Sequence, residues 1–105
     1  MAQCHVYENL NQNSKKTYPY LVDVQSTILS DLESRIVIPL AIKEKFEKEL
    51  IRNLNPVIII KKKEYVLITQ QMAGIPNKQI GAPICECLSD RQDILSAIDF
   101  LITGI

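Results

Sequence analysis

The chain has 105 residues, a formal net charge of zero at pH 7, 47 % hydrophobic residues and 23 % charged residues. These values argue against a disordered or fibrous protein and predict one domain, residues 1–105, with a single core. A neutral chain creates no long-range field that attracts nucleic acid, and the sequence has no run of about 18 apolar residues and no N-terminal signal. We therefore expect a cytoplasmic protein that binds neither membranes nor, on its own, specific DNA.

The first part of the chain predicts two strands joined by a polar loop. Residues 3–8 alternate in polarity, which predicts a half-buried strand. Residues 18–25 predict a second strand, with Asp23 and Gln25 facing outward. The intervening residues 9–16 are polar and rich in turn formers, which predicts a surface loop.

The loop after the second strand carries two adjacent aliphatic residues, Ile28 and Leu29, among polar neighbours. Two neighbouring side chains in a turn-rich segment do not both face the core of one strand. They are either an anchor that holds the loop to the core or a contact surface for a partner.

Three continuous apolar runs, residues 35–40, 56–60 and 65–69, predict strands that are buried on both faces. One amphipathic helix covers one face of a small sheet. The other face is closed by curling into a barrel, by another segment, or by a second copy of the chain. These runs are the main argument from the residues for a homodimer.

The connections between the runs predict a short helix and a hairpin. Residues 42–52 have apolar residues at a spacing of four and predict the helix, which Asn55-Pro56 ends. The segment Lys61-Lys62-Lys63-Glu64 predicts a solvated hairpin tip. Residues 70–77 are expected to leave the sheet before a last strand at residues 84–88.

Residues 89–105 predict a capped helix with an apolar end. Ser89 and Gln92 have the spacing of a capping box, and Gly104 is a natural stop. Core packing does not explain the isoleucine after that stop, Ile105. The stripe typical of a helix on a core comprises Ile94, Ala97, Ile98, Leu101 and Ile102.

Strands first and a helix last predict an α+β fold that is mainly β and antiparallel. No local motif indicates catalysis: the glycines are scattered, and neither H-E-x-x-H nor C-x-x-C occurs. Asp23 and Arg35 are the best candidate polar pair, and a structural pair across two strands is the default interpretation.

Four residues have side chains that bind zinc: Cys4, His5, Cys85 and Cys87. Their spacing is not that of a zinc finger or ribbon, and buried cysteines are ordinary core residues. We therefore expect free thiols, no metal site and no cofactor.

Several blocks, in order and at nearly the same spacing, resemble CcdB, the toxin of plasmid and chromosomal toxin–antitoxin pairs that serve plasmid maintenance. The resemblance implies an SH3-like barrel of five antiparallel strands, a small accessory sheet, a C-terminal helix and a symmetric homodimer. The blocks are Tyr-Leu-Val-Asp-Val-Gln-Ser at 20–26, Arg-Ile-Val-Ile-Pro-Leu at 35–40, Asn-Pro-Val at 55–57, Thr-Gln-Gln-Met-Ala at 69–73, and Ala-Ile-Asp at 97–99 with Gly-Ile at 104–105.

The resemblance also implies a function by binding, so no enzyme is expected. CcdB-like toxins dock on the dimerisation region of the gyrase A subunit and trap DNA gyrase with its DNA cleaved, which makes them topoisomerase poisons. A CcdA-like antitoxin neutralises them by folding a disordered segment onto the toxin. The implied gyrase-binding positions are Ile28, Leu29, Asp99, Ile102, Thr103, Gly104 and Ile105.

Thr103 departs from the family pattern, because the best-studied members have a tryptophan there. Tryptophan stacks on an arginine in a cation–π contact worth about 0.5 to 2 kcal/mol, and threonine does not. We expect gyrase to remain the target, with a different balance of contacts.

Two alternatives stay open. The first is a ribonuclease toxin of the MazF/Kid kind, which shares the fold but cleaves RNA. Such an enzyme would need a basic groove, and the neutral net charge argues against one. It would have no need of the apolar Gly-Ile tail. An inactive SH3-like binding module would keep the fold without toxicity.

Overall fold

The computed structural model describes residues 1–104 and is mainly β-structure. Within these residues, seven strands form one antiparallel sheet. The strands are β1 (His5–Asn9), β2 (Tyr20–Asp23), β3 (Ser34–Ile42), β4 (Val57–Ile60), β5 (Lys63–Leu67), β6 (Ala73–Pro76) and β7 (Ile80–Glu86); the helices are α1 (Lys43–Phe46) and α2 (Arg91–Thr103). This architecture confirms the predicted α+β, mainly β fold class.

The long strand β3 gives the sheet its curl. One of its edges pairs with β2, while the other pairs first with β6, through residues 34–37, and then with β5, through residues 40–42. The main path runs β4-β5-β3-β2-β1-β7, with β4 and β7 at its two ends. The sheet therefore forms half of a curled barrel, which agrees only loosely with the expected SH3-like barrel.

The sheet is covered on both faces, as the continuous apolar runs predict. The main core lies between the sheet and α2, where Ile94 packs among Val22, Ile38 and Leu67. The other side carries two smaller clusters built around Tyr7, Leu21, Val37 and Ile80, and around Ala41, Val66 and Ile68. Because the chain's own segments cover these residues, a second copy is not needed to close these strands.

Several side chains face other surroundings than the sequence predicts. Asp23 and Gln25, expected to face outward, are buried. Ile59, expected to be buried, is 68 % exposed on β4, which is an end strand of the sheet and has only one paired neighbour. Alternation identifies the two sides of a strand, but it does not say which sides are covered.

Some predicted boundaries are also wrong. The segment at 70–77 leaves the sheet only at the 3₁₀ turn Thr69–Gln71, because β6 then pairs with β3. The last strand is Ile80–Glu86, earlier than expected, and the short helix before residue 55 has only the four residues of α1, followed by a 3₁₀ turn at Glu47–Glu49.

The start of α2 differs from the predicted capping box. A 3₁₀ turn at Leu88–Asp90 precedes it, so Asp90 is the N-cap residue, and its side chain makes no cap hydrogen bond. Gln92 instead donates to the hydroxyl of Ser96, at 3.3 Å. No helix within residues 1–104 is long and apolar enough to cross a membrane.

Candidate functional site

The apolar stripe of α2 divides into a buried half and an exposed half. Ile94 and Ala97 are fully buried against the sheet. One to two turns later, Leu101 is 37 % and Ile102 is 71 % exposed. The end of the helix therefore extends beyond the core that its first half covers, and it presents aliphatic surface.

The last turn of α2 is closed by its own groups. Gly104 adopts a left-handed conformation, with φ of 72°, and its N–H donates to the carbonyl of Phe100 at 2.8 Å, which confirms the predicted stop. The Thr103 hydroxyl donates to the carbonyl of Asp99 at 2.8 Å. Ile105, the last of the predicted contact residues, lies outside the described residues.

Charge at this end of the helix is negative. Asp99 is exposed in the last turns, and the last turn of α2 contains no basic residue. The negative end of the helix dipole adds to the charge of this carboxylate. The helix end thus offers a partner an aliphatic surface beside an electronegative one.

The second predicted contact region is a 3₁₀ turn, Thr27–Leu29, between β2 and β3. Ile28 is 90 % exposed and Leu29 is 47 % exposed, so these side chains do not anchor the loop in the core. Leu32 and Ile36 add exposed aliphatic surface on the same connection and the start of β3. Of the two interpretations of the sequence, the geometry favours a contact surface.

A buried ion pair lies beneath this loop. Arg35 on β3 donates to both oxygens of Asp23 on β2, at 2.8 Å from Nε to Oδ2 and 3.0 Å from Nη2 to Oδ1. Both side chains are fully buried. The default interpretation of this pair as a structural one is confirmed, and its burial leaves neither group available to a substrate at the surface.

Gln25 extends this pair into the loop. Its backbone N–H donates to Asp23 Oδ1 at 3.0 Å, and its side-chain amide donates to the carbonyl of Leu29 at 3.1 Å. The sequence did not identify Gln25 as part of the site. The only available signal was its place two residues after Asp23, directly before the polar loop.

Further hydrogen bonds connect the loop to the start of α2. The backbone N–H of Gln3 donates to Thr27 Oγ1, and the Gln3 side chain accepts from Arg91 Nε, each at 3.3 Å. Arg91 is the first residue of α2, whereas the exposed aliphatic surface is at the other end of this helix. These hydrogen bonds therefore connect the loop to the start of α2, and not to the exposed end of the helix. The loop and the helix end are two separate parts of the predicted surface.

Asp90, at the N-cap of α2, has an unfavourable environment for its charge. Partial burial, together with the nearby carboxylates of Asp93 and Glu86, raises the pKa of Asp90. The start of the helix is therefore less stable when this group is ionised.

The cysteines are free thiols in an unreactive setting. Burial raises the pKa of Cys87 to about 12, and it also raises the pKa values of Cys4 and Cys85. The Cys87 thiol donates to the carbonyl of Cys4 at 3.1 Å. Among residues 1–104, no group of three or more His, Cys, Asp or Glu side chains is placed to hold a metal ion.

A comparison with protein families shows which family the chain belongs to. The family model described as CcdB protein matches residues 3–104. The match includes β1 to β7, α2 and the loop between β2 and β3, so it contains every predicted contact residue except Ile105. The chain therefore belongs to the CcdB family, whose members are toxins of toxin–antitoxin pairs.

Proposed function

We propose that this CcdB-family toxin binds the gyrase A subunit and traps the complex of gyrase with cleaved DNA. It acts in the cytoplasm as a homodimer, and a CcdA-like antitoxin neutralises it. Membership of the family supports a toxin of this kind. The exposure of the predicted contact residues within 1–104 supports the choice of surface.

The observation that carries the proposal is the exposed aliphatic end of α2. Ile102 is 71 % exposed on a helix whose first half is packed on the core. Exposed aliphatic surface at a fixed position marks an interaction site when it is contiguous and flanked by polar groups. Ile102 meets this description, because it lines one surface depression together with Leu95, Ile98 and Asp99.

The toxin acts by binding rather than by turnover. Asp23 and Arg35, the best candidate polar pair of the sequence, are fully buried and paired with each other. A poison needs only to favour the opened DNA gate over the closed one, because a ligand shifts an equilibrium through its differential affinity. A surface of aliphatic side chains and one carboxylate provides such affinity without a reaction.

A homodimer suits a two-fold symmetric target. Two copies of the helix end would meet two copies of the gyrase A surface, so each contact is made twice. The binding free energy that is lost because Thr103 replaces a stacking tryptophan is then also lost twice. In this toxin the aliphatic contact of Ile102 carries correspondingly more of the binding.

The first experiment compares Ile102→Ser with Ile59→Ser. Both isoleucines are similarly exposed, at 71 % and 68 %, but Ile59 lies on the end strand β4, outside the proposed surface. Purified variants are tested for inhibition of gyrase supercoiling and for the amount of cleaved DNA. We expect Ile102→Ser to weaken poisoning about tenfold or more, because a buried isoleucine contributes about 1.5 to 3 kcal/mol, and Ile59→Ser to leave it unchanged.

The second experiment removes residues 103–105. The core is built from residues before the last turn of α2, so the fold and the unfolding midpoint are expected to remain close to those of the full chain. Poisoning is expected to be lost. Full poisoning by the truncated chain would refute the assignment of the tail, and a full chain that leaves gyrase unaffected but cleaves single-stranded RNA without metal would establish the ribonuclease alternative.

A further inference from the structure

The loop that carries Ile28 has little apolar attachment of its own. Its 3₁₀ turn, Thr27–Leu29, contains no buried residue. A surface turn without a buried side chain samples many conformations unless hydrogen bonds restrict it. The turn therefore depends on its backbone contacts to present Ile28 in one position.

Two buried side chains donate to one atom of the turn, the carbonyl oxygen of Leu29, which also accepts from the N–H of Leu32 at 3.2 Å. Arg35 Nη1 donates to it at 3.2 Å, and Gln25 Nε2 donates to it at 3.1 Å. This carbonyl belongs to the peptide unit between Leu29 and Ser30, one residue after Ile28. Fixing it therefore restrains the end of the turn that carries the most exposed large hydrophobic side chain of the described residues.

Gln25 uses all of its polar groups in this arrangement. Its side-chain oxygen accepts from the N–H of Ile36 on β3 at 3.0 Å, while its side-chain nitrogen reaches Leu29. Its own N–H donates to Asp23, and its carbonyl accepts from Arg35 at 3.3 Å. Only 8 % of Gln25 is exposed, so these bonds form away from water.

Fold stability alone does not call for this network. A buried ion pair contributes little net stability, and apolar residues of similar volume often replace it without loss. A glutamine whose amide joins a strand to a loop carbonyl adds a fixed geometry that an apolar residue does not supply. The loop also bears part of the proposed partner surface.

We propose that Gln25, supported by Arg35, is a positioning residue that holds the Ile28–Leu29 turn in the conformation that gyrase A binds. This inference rests on the proposed function. A turn that is already ordered loses less conformational entropy on binding, so Gln25 increases affinity without touching the partner.

The first test measures the order of the turn without any partner. Gln25→Met keeps the length of the side chain and removes its amide. Within the turn, the N–H groups of Leu29 and Ser30 donate to the carbonyls of Ser26 and Thr27. We expect Gln25→Met to accelerate hydrogen exchange at these two amides about tenfold or more.

The control for lost stability is Ile58→Val, a buried site on β4 away from the turn. Denaturant unfolding measures how far each variant is destabilised. The control is expected to leave the exchange of the two turn amides within about twofold of the unmodified chain. Equal exchange in Gln25→Met and in the unmodified chain would overturn the positioning role.

The second test is a double-mutant cycle on binding to purified gyrase A. Gln25→Met is expected to weaken binding about five- to tenfold in the unmodified chain, and less than twofold in a chain that already carries Ile28→Ala and Leu29→Ala. An equal loss in both backgrounds would mean that Gln25 does not act through the turn, and would overturn the proposal. The variant Gln25→Glu keeps an acceptor for Ile36 but not the amide donor, so it should recover at most part of the affinity.

The two tests separate this inference from the proposed function. If the unmodified chain does not bind gyrase A, the proposed function fails. In that case the hydrogen-exchange result still decides whether Gln25 orders the turn.

Discussion

At the scale of single residues, the tip of the β4–β5 hairpin holds two lysines in a strained conformation. Lys61 and Lys62 have φ values of 51° and 69° and join the paired residues Ile60 and Lys63. A two-residue turn with positive φ at both positions favours Asn-Gly, because a left-handed conformation costs about 1 to 2 kcal/mol for a residue with a Cβ atom. The sequence predicted a hairpin tip, but its lysines give no sign of this turn type.

We therefore expect Lys62→Gly to increase the free energy of unfolding by about 0.5 to 1 kcal/mol, since part of the relieved strain is offset by the greater freedom of glycine in the unfolded chain. Urea denaturation measures the change. The matched control is Lys63→Gly, one residue later in β5, where glycine is expected to destabilise the strand by a similar amount. A loss of stability in both variants would contradict the assigned strain.

The raised pKa of Asp90 leads to a prediction about pH. A carboxyl group whose pKa is higher in the folded than in the unfolded chain stabilises the fold below its unfolded pKa of about 3.9, and this contribution is lost as pH rises through the folded pKa. Asp90→Asn removes the charge and keeps a good N-cap residue. We expect the variant to be more stable than the unmodified chain at pH 7, with a difference that shrinks towards pH 3.

Unfolding by urea at a series of pH values tests this expectation. Asp31→Asn, in an exposed loop, controls for the loss of one negative charge elsewhere in the chain. A gain that stays constant from pH 3 to pH 7, or a gain shared by the control, would show that the local carboxylates are not its cause.

The alternation of polar and apolar residues did not predict the buried hydrogen-bond network of Asp23, Gln25 and Arg35 beneath the loop. Asp23 and Gln25 were predicted to face outward because polar residues on a strand usually meet solvent. In the folded chain Arg35 neutralises Asp23, and both lie beneath the loop that follows β2. A sequence shows that Asp23 and Arg35 can pair, but not that the loop covers them.

At the scale of elements, strands and helices with strong apolar patterns were predictable and weakly patterned ones were not. The stripe on α2 gave both the helix and the face that packs on the core. By contrast, β6 has one large aliphatic residue, Ile75, among Ala73, Gly74 and Pro76, so its pairing with β3 left no periodic signal. The start of α2 was misplaced because Ser89 lies within a 3₁₀ turn that precedes the helix.

The pairing of β2 with β3 supports a further prediction. Arg35→Met leaves Asp23 buried without a counter-charge, and we expect it to lower the free energy of unfolding by about 3 to 5 kcal/mol. The control, Lys43→Met, breaks the exposed pair with Glu64, where the atoms are 3.5 Å apart, and is expected to change stability by no more than about 0.5 kcal/mol. Similar losses in the two variants would contradict the importance of burial.

At the scale of the whole molecule, the continuous apolar runs predicted that both faces of the sheet are covered, but not what covers them. The covering residues come from within the chain: α2 on one side, and on the other Ile75 of β6, Phe46 of α1 and the loop residues Tyr18 and Leu50. The residues alone left Ile28 and Leu29 open as an anchor or a contact surface, and the resemblance to CcdB favoured the contact surface. The proposed homodimer therefore rests on that family membership and on exposed aliphatic surface, rather than on an unfilled core.

This distinction predicts how stability depends on concentration. If a protomer were unfolded without its partner, a tenfold dilution would lower the stability of the dimer by about 1.4 kcal/mol, because unfolding and dissociation would be one step. Since the chain covers its own sheet, we expect the single protomer to stay folded. Its urea midpoint should therefore stay nearly constant over a hundredfold dilution below the concentration at which sedimentation detects dimers. A midpoint that falls steadily with dilution in this range would mean that the second copy completes the core after all.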